Sequence, residues 1–282
     1  MGTLYVVATP IGNLNDMTSR AVEVLAMVDL IVAEDTRHTI KLLNAYDIKT
    51  RMISYHKFNE KQRSLEIINK LQDGLNIALV SDAGTPCISD PGAILVKEAK
   101  EANINVIGIP GASAIVNALA TSGVVTDRFM FYGFLPRDNS KFNKALKEIK
   151  SNPITTIIFY ESPKRIVKFV ERLMEHFPES LLSIASDMTK KFERNWYGTI
   201  ENVYEQIKDD EKITKGEYVL VLEKQLINEP PIEQISTQAL IIDAMVKQQL
   251  TVKEAIDYVN KKHDNLAKND IYAASLELKD IL

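Results

Sequence analysis

Over the first 125 or so residues, short unbroken apolar runs alternate with longer stretches whose apolar positions recur at helical spacing. Residues 4–8, 30–33, 52–55, 77–80 and 104–109 read as buried strands. Residues 19–27, 36–45, 64–71 and 113–121 read as helices, the first through Ala21, Val22, Leu25 and Ala26. A further helix is expected to open at Asp90-Pro91, with Asp90 as N-cap and Pro91 in the first turn, where a missing N–H costs nothing. Strand–helix alternation of this kind predicts a parallel sheet with helices on both faces.

The pattern changes near residues 124–127. Strands are expected at 129–134, 154–160, 181–185, 194–197 and 217–223, with helices at 164–175 and 201–208. Ser162-Pro163 would cap the first of these helices. Fewer helices intervene between these strands, which predicts a mixed sheet. Glu229-Pro230-Pro231 then punctuates the chain, and only helical periodicity follows, at 237–248, 252–261 and 269–279. Thr251 and Glu254 form a capping box for the middle helix. The expected organisation is an N-terminal α/β domain over 1–125, a second α/β domain over 126–226 and a helical module over 227–282. A helix-turn-helix-like module and a plain helical tail both fit that last segment.

The chain has 282 residues, 45% hydrophobic and 26% charged, enough apolar material for sizeable cores. Its net charge of −4 excludes nucleic-acid binding by bulk charge, so any such role must rest on local basic patches. The single cysteine, Cys87, excludes an intrachain disulfide and a thiolate zinc site, and the four histidines are scattered, so no metal is expected. No phosphate loop of the Walker type, no Gly-x-Gly-x-x-Gly after the first strand and no Gly-x-Ser-x-Gly elbow occurs. The first residues lack a secretory pattern, and no apolar run approaches the roughly 18 residues of a membrane span, so a cytoplasmic protein is expected.

In open parallel sheets, ligands bind beyond the carboxyl ends of the strands. Four segments leaving the predicted strands are rich in small residues, Pro, hydroxyls and carboxylates. They are Thr9-Pro10-Ile11-Gly12-Asn13-Leu14, Glu34-Asp35-Thr36-Arg37, Ser81 through Gly92, and Pro110-Gly111-Ala112-Ser113-Ala114. Small residues let backbone groups approach a flat ligand, and Asp82 and the hydroxyls add fixed hydrogen bonds.

The stretches Leu4 through Leu14, Ala33-Glu34-Asp35-Thr36-Arg37, Ser81 through Pro86 with Ile88 through Gly92, and Phe159-Tyr160-Glu161-Ser162-Pro163 resemble one family, over residues 4 to about 225: the ribosomal RNA small subunit methyltransferase I type. The resemblance implies a tetrapyrrole-methylase-like fold of two α/β domains and S-adenosylmethionine in the cleft between them. It also implies a homodimer, and 2′-O-methylation of a decoding-centre cytidine of 16S rRNA in the small ribosomal subunit. By the same resemblance, Pro10, Ser81, Asp82, Ala83, Ser113 and Ala114 would hold the cofactor from the first domain. Tyr160, Glu161, Gly216 and Glu217 would hold it from the second. The family's Arg-Glu-Leu-Thr-Lys segment reads Ser186-Asp187-Met188-Thr189-Lys190 here, which leaves any role of that arginine without a bearer.

A ribose hydroxyl is a weak acid, so a base or cation beside it would help. Glu34 and Asp35 are the expected carboxylates on the cleft edge, with Arg37 and Lys190 as candidate cations; capping of a helix by Asp35 or Thr36 is the competing reading. RNA contacts are expected from Arg137, Lys141, Lys144, Lys164, Arg165 and Lys191, through phosphate neutralisation. Two alternatives remain open. One is a methylase of the same fold acting on a tetrapyrrole precursor; its loop after the first strand would usually read Gly-Pro-Gly-Asp, unlike Thr9 through Leu14 here. The other is a non-catalytic RNA-binding assembly factor.

Overall fold

Five apolar segments align in parallel as the first sheet: β1 (Thr3–Val7), β2 (Leu30–Ala33), β3 (Met52–Ser54), β4 (Ile77–Val80) and β5 (Asn105–Ile109), in the order β3-β2-β4-β1-β5. The structure is a computed structural model that describes residues 1–225, 236–262, 271, 273 and 274. Every residue of β2 and β4 is buried, as interior parallel strands covered on both faces require. The covers are α1 (Ser19–Met27), α2 (Thr36–Ala45), α3 (Glu60–Gln72) and α4 (Ala93–Glu101). Val32 and Leu79 face Ile67, Leu71 and Leu95 of α3 and α4. Their neighbours Ile31, Ala78 and Val80 face Leu25 and Leu43 of α1 and α2. Successive strand residues thus feed opposite cores, the period-2 geometry of a strand.

One helix start differs from expectation. α4 opens at Ala93 with Gly92 as its cap at φ +129°, so Asp90-Pro91 lie in the preceding loop. A Cβ at residue 92 would sit 2.6 Å from Leu79 Cδ2 and 2.8 Å from Cys87 Sγ, and only glycine makes that turn without displacement.

The second sheet comprises β6 (Phe129–Phe134), β7 (Thr156–Glu161), β8 (Leu181–Ser186), β9 (Arg194–Thr199) and β10 (Tyr218–Glu223), in the order β6-β7-β10-β8-β9. β6 and β7 are parallel and the other pairings antiparallel, so the sheet is mixed. One face packs on α6 (Asn139–Ser151), α7 (Ile166–His176) and α8 (Ile200–Ile207) through Phe142, Phe159, Phe169 and Leu220. The other face, through Ile158, Ala185, Val219 and Val221, receives Ile115, Ala118 and Leu119 of α5 (Ala114–Thr121). α5 leaves the first sheet yet packs on the second, and residues 1–225 form one compact unit. Ser162-Pro163 do not cap α7, which starts at Ile166; the Ser162 hydroxyl instead donates to Glu161 Oε1 at 3.1 Å.

Lys224 stands just past β10 and is only 4% exposed. Its Nζ donates to the carbonyls of Lys150 (3.1 Å) and Asn152 (2.5 Å), acceptors that α6 leaves open at its end. Burial pulls the Lys224 pKa below the ordinary lysine value. Lys224→Met, which keeps the stem and removes the donor, is expected to lower stability by about 1–3 kcal/mol in urea unfolding. A gain in stability would show that the buried charge outweighs its bonds.

In the second unit, α9 (Thr237–Gln248) and α10 (Val252–Lys262) pack through Ile241, Ala244, Ala255 and Val259. The capping box forms as expected, with Thr251 N donating to Glu254 Oε2 at 2.9 Å and Glu254 N to Thr251 Oγ1 at 3.4 Å. Glu229-Pro230-Pro231, and most of the helix expected at 269–279, lie outside the described residues. Among the described residues, no helix is long and apolar enough to cross a membrane.

Candidate active site

Because the first sheet is parallel, the loops after β1, β2, β4 and β5 leave from one edge. Hydrogen bonds tie three of them together. Thr9 and Gly84 exchange backbone bonds of 2.8 and 3.0 Å, and the Thr85 hydroxyl donates to Ala112 O at 3.3 Å. Between these loops and the second sheet lies a cavity of about 390 Å³, within the size range of small-molecule sites. Seven of the expected cofactor residues line it: Ala83, Ser113 and Ala114 from the first sheet's loops, and Tyr160, Glu161, Gly216 and Glu217 from the second half. Pro10, Ser81 and Asp82 border a separate, smaller hollow of about 160 Å³, beside His38 and Lys41.

Glu161 is 3% exposed and fully engaged. Its carboxylate accepts from Ser162 N at 2.6 Å and from Arg165 Nε at 2.8 Å and Nη2 at 2.5 Å. The Arg165 guanidinium also donates to Leu135 O at 3.3 Å. Arg165, expected on an RNA surface, therefore neutralises the buried carboxylate beneath the cavity wall. Burial, with Asp90 and Glu217 nearby, pushes the neighbouring Tyr160 phenol up to about 12.

The segment 187–190 is held in an unusual backbone. Asp187 and Thr189 have φ of 49° and 66°, and for β-branched Thr189 this is a strained conformation of the sort that collects at functional sites. Lys190 Nζ clamps it, donating to Asp187 Oδ1 at 2.8 Å and Glu217 Oε2 at 2.7 Å. Burial works against the Lys190 charge, but these two bonds outweigh it and raise the pKa, so the group stays protonated. Gly216 passes beneath at φ +98°, where a Cβ would lie 2.4 Å from Asp187 Oδ2. Gly216→Ala is expected to displace Asp187 and weaken cofactor affinity about tenfold or more while the protein stays folded, as calorimetry would read. An unchanged affinity would remove Gly216 from the binding wall.

The expected catalytic carboxylates separate. Asp35 caps α2, accepting from Arg37 N at 2.8 Å, and pairs with the Arg37 guanidinium at 2.7 Å. The Arg37 hydrogen bonds hold the Asp35 pKa down to about 2, which makes it a poor base. Arg37 itself is 89% exposed. Glu34 accepts from Asp82 N at 3.5 Å, and its pKa is raised by burial and then by Asp90 and Asp82. Neither Glu34, Asp35, Arg37 nor Lys190 lines the larger cavity, though Lys190 holds Glu217, which does. Asp90 does line it. Burial raises the Asp90 pKa, a hydrogen bond from Ser81 opposes this, and Asp82 adds to it. Read as a helix cap, Asp90 is the residue that sequence reasoning missed; Gly92 directly after Pro91 is the signal that the chain turns there before the helix begins.

The other expected RNA contacts lie outside the cavity. Lys141 and Lys144 occupy the exposed face of α6, opposite Phe142, Ala145 and Ile149. Arg137, Lys164 and Lys191 are exposed, and Lys191 Nζ stands 5.6 Å from the centroid of the Phe192 ring.

The family model for Tetrapyrrole (Corrin/Porphyrin) Methylases matches residues 3–204. Ribosomal RNA small subunit methyltransferase I of Synechocystis sp. is 44% identical over 280 residues, covering 99% of each chain. The protein of that name from Escherichia coli O157:H7 is 42% identical over 277 residues, covering 98% of this chain and 95% of its own. Among solved structures, the uroporphyrin-III C-methyl transferase of Thermus thermophilus complexed with S-adenyl homocysteine matches with a TM-score of 0.54 at 14% identity. It covers 78% of this chain and 97% of that one, and supports the fold. Matched in motif, in fold and along nearly its whole length, the chain belongs to the ribosomal RNA small subunit methyltransferase I family, within the tetrapyrrole methylases.

Proposed function

We propose that this protein transfers a methyl group from S-adenosylmethionine to the 2′-hydroxyl of a decoding-centre cytidine in 16S rRNA, acting on the small ribosomal subunit as a cytoplasmic homodimer. The observation that carries the reading is the match of 40% identity or more, over nearly the full chain, to proteins named for small-subunit rRNA methylation. The cavity fits the cofactor chemically. Ala83, Gly84, Ala114 and Gly216 leave backbone groups accessible, and Asp90 and Glu217 give the walls an acidic character suited to a cationic sulfonium. Bound there, S-adenosylmethionine would supply an activated methyl group on a sulfur that leaves without protonation.

The chain's own residues then have three tasks. Ala83, Ser113 and Gly216 hold the cofactor so that reacting atoms are aligned, which replaces a costly encounter with a prepared geometry. Glu161 and Arg165 keep the wall of β7 rigid. Asp90 takes the proton that the ribose hydroxyl loses as its oxygen forms the new bond to the methyl carbon. A carboxylate whose proton affinity is raised by burial suits that task better than Asp35 does. Deleting the gene, mapping 2′-O-methylation across 16S rRNA and complementing with this chain tests the reading. Loss and recovery of one cytidine modification is expected; an unchanged map would end the rRNA assignment.

A further inference from the structure

The connection from β3 to α3 places an aromatic ring in solvent on a rigid support. His56, Lys57, Phe58 and Asn59 form a tight turn, closed by Asn59 N donating to His56 O at 2.8 Å and by His56 N donating to Asn59 Oδ1 at 2.8 Å. Asn59 Nδ2 also donates to Ser54 O at 3.4 Å. Phe58 at the turn's apex is 94% exposed, and among the described residues its one ring neighbour is His56, edge-on with centroids 6.1 Å apart. Lys57 and Lys61 flank it, both exposed. The turn follows β3 at the carboxyl edge of the first sheet, the edge that carries the cavity loops. It is braced on one of them: Glu60 Oε1 accepts from Gly92 N at 3.0 Å, next to Ser89 and Asp90 of the cavity wall.

We propose that Phe58 is a stacking platform for an unpaired base of the RNA substrate, with Lys57 and Lys61 neutralising the adjacent phosphates. The inference rests on the rRNA reading above. Unpaired RNA is held by aromatic faces that stack on bases and by cations that track the backbone, and this turn provides both. A second basic–aromatic pair, Lys191 with Phe192 (75% exposed), repeats the arrangement on the other half of the unit. A second copy of the chain is the lesser fit, because protein interfaces deplete charge at their centre, and Phe58 stands between Lys57 and Lys61.

The test uses the full-length protein in steady-state methyl transfer to small subunits that lack the modification. Phe58→Ala is expected to raise KM for subunits about 5- to 150-fold, while calorimetric affinity for S-adenosylmethionine stays at the wild-type value. Phe58→Trp, which keeps an aromatic face, is expected to stay within about threefold of wild type. Lys57→Ala with Lys61→Ala is expected to lower the salt dependence of KM. An unchanged KM in Phe58→Ala overturns the platform, as does equal impairment by the alanine and tryptophan changes. A fall in molar mass of Phe58→Ala by light scattering assigns the ring to a second copy and also overturns it. Failure of the wild-type protein to methylate subunits would instead remove the rRNA reading beneath it.

Discussion

Arg165→Met is expected to lower the unfolding free energy by about 3–5 kcal/mol, because it leaves the buried Glu161 carboxylate without its countercharge. Glu161 is 3% exposed, and its carboxylate accepts four hydrogen bonds, two from Ser162 N and Oγ and two from Arg165 Nε and Nη2. The ion pair is no surface decoration: the two side chains are 28% and 1% exposed. For a unit of this size the loss corresponds to a fall in Tm on the order of 10 °C. Glu161→Gln added to Arg165→Met should recover much of it, since the amide oxygen still accepts from Ser162 N and no charge remains. Lys164→Met, beside it and exposed, should stay within about 0.5 kcal/mol of wild type. The comparison separates two roles for Arg165. If Arg165→Met kept the wild-type Tm and lost affinity for small subunits instead, the arginine would be the RNA contact that its sequence neighbourhood suggested.

That ambiguity shows where the sequence stops being informative. Periodicity located both sheets, because β2 and β4 are buried on both faces and read as unbroken apolar runs, while α1 and α2 carry one apolar stripe each. The mixed second sheet was legible from the spacing of its strands, but α5 packing on that sheet was not; its stripe of Ile115, Ala118 and Leu119 says that it is buried, not against what. Motif and resemblance together found most of the cavity's walls. They could not sort Glu34, Asp35 and Asp90 by role, because each stands in a plausible capping or loop position. The structure shows Arg37 folded back onto Asp35, and a turn at Gly92 that leaves Asp90 on the cavity wall rather than on a helix. Side-chain partners decide such cases, and a sequence does not print them. Arg165 is the same lesson with the opposite sign: a Lys-Arg pair reads as a basic patch, while the fold exposes one and pairs the charge of the other with a buried carboxylate.

Asp90→Asn should therefore both stabilise the protein and slow it. The folded-state pKa of Asp90 lies above its ordinary value of 3.8, chiefly from burial, so folding disfavours the ionised carboxylate. For such a group the sign runs opposite to a salt-bridged aspartate: the cost is present above the folded pKa and relieved as pH falls through it toward the unfolded value. At pH 7 the asparagine variant escapes that cost, so its Tm should exceed that of the wild type, and the difference should close in acid below the raised pKa. Its turnover should fall about 10²- to 10⁴-fold, the usual share of a positioned proton acceptor. Wild-type single-turnover rates should rise with pH through the Asp90 pKa and then level, a limb absent from the variant. Glu34→Gln makes the control, because Glu34 shares the raised pKa but does not line the cavity. It should reproduce the stabilisation with a smaller effect on rate. A rate within twofold of wild type for Asp90→Asn would take the aspartate out of the chemistry and return the search to Glu34. A Tm gain together with a large rate loss would mark Asp90 as a group held in a costly state for the sake of the reaction, as strained and desolvated sites commonly are.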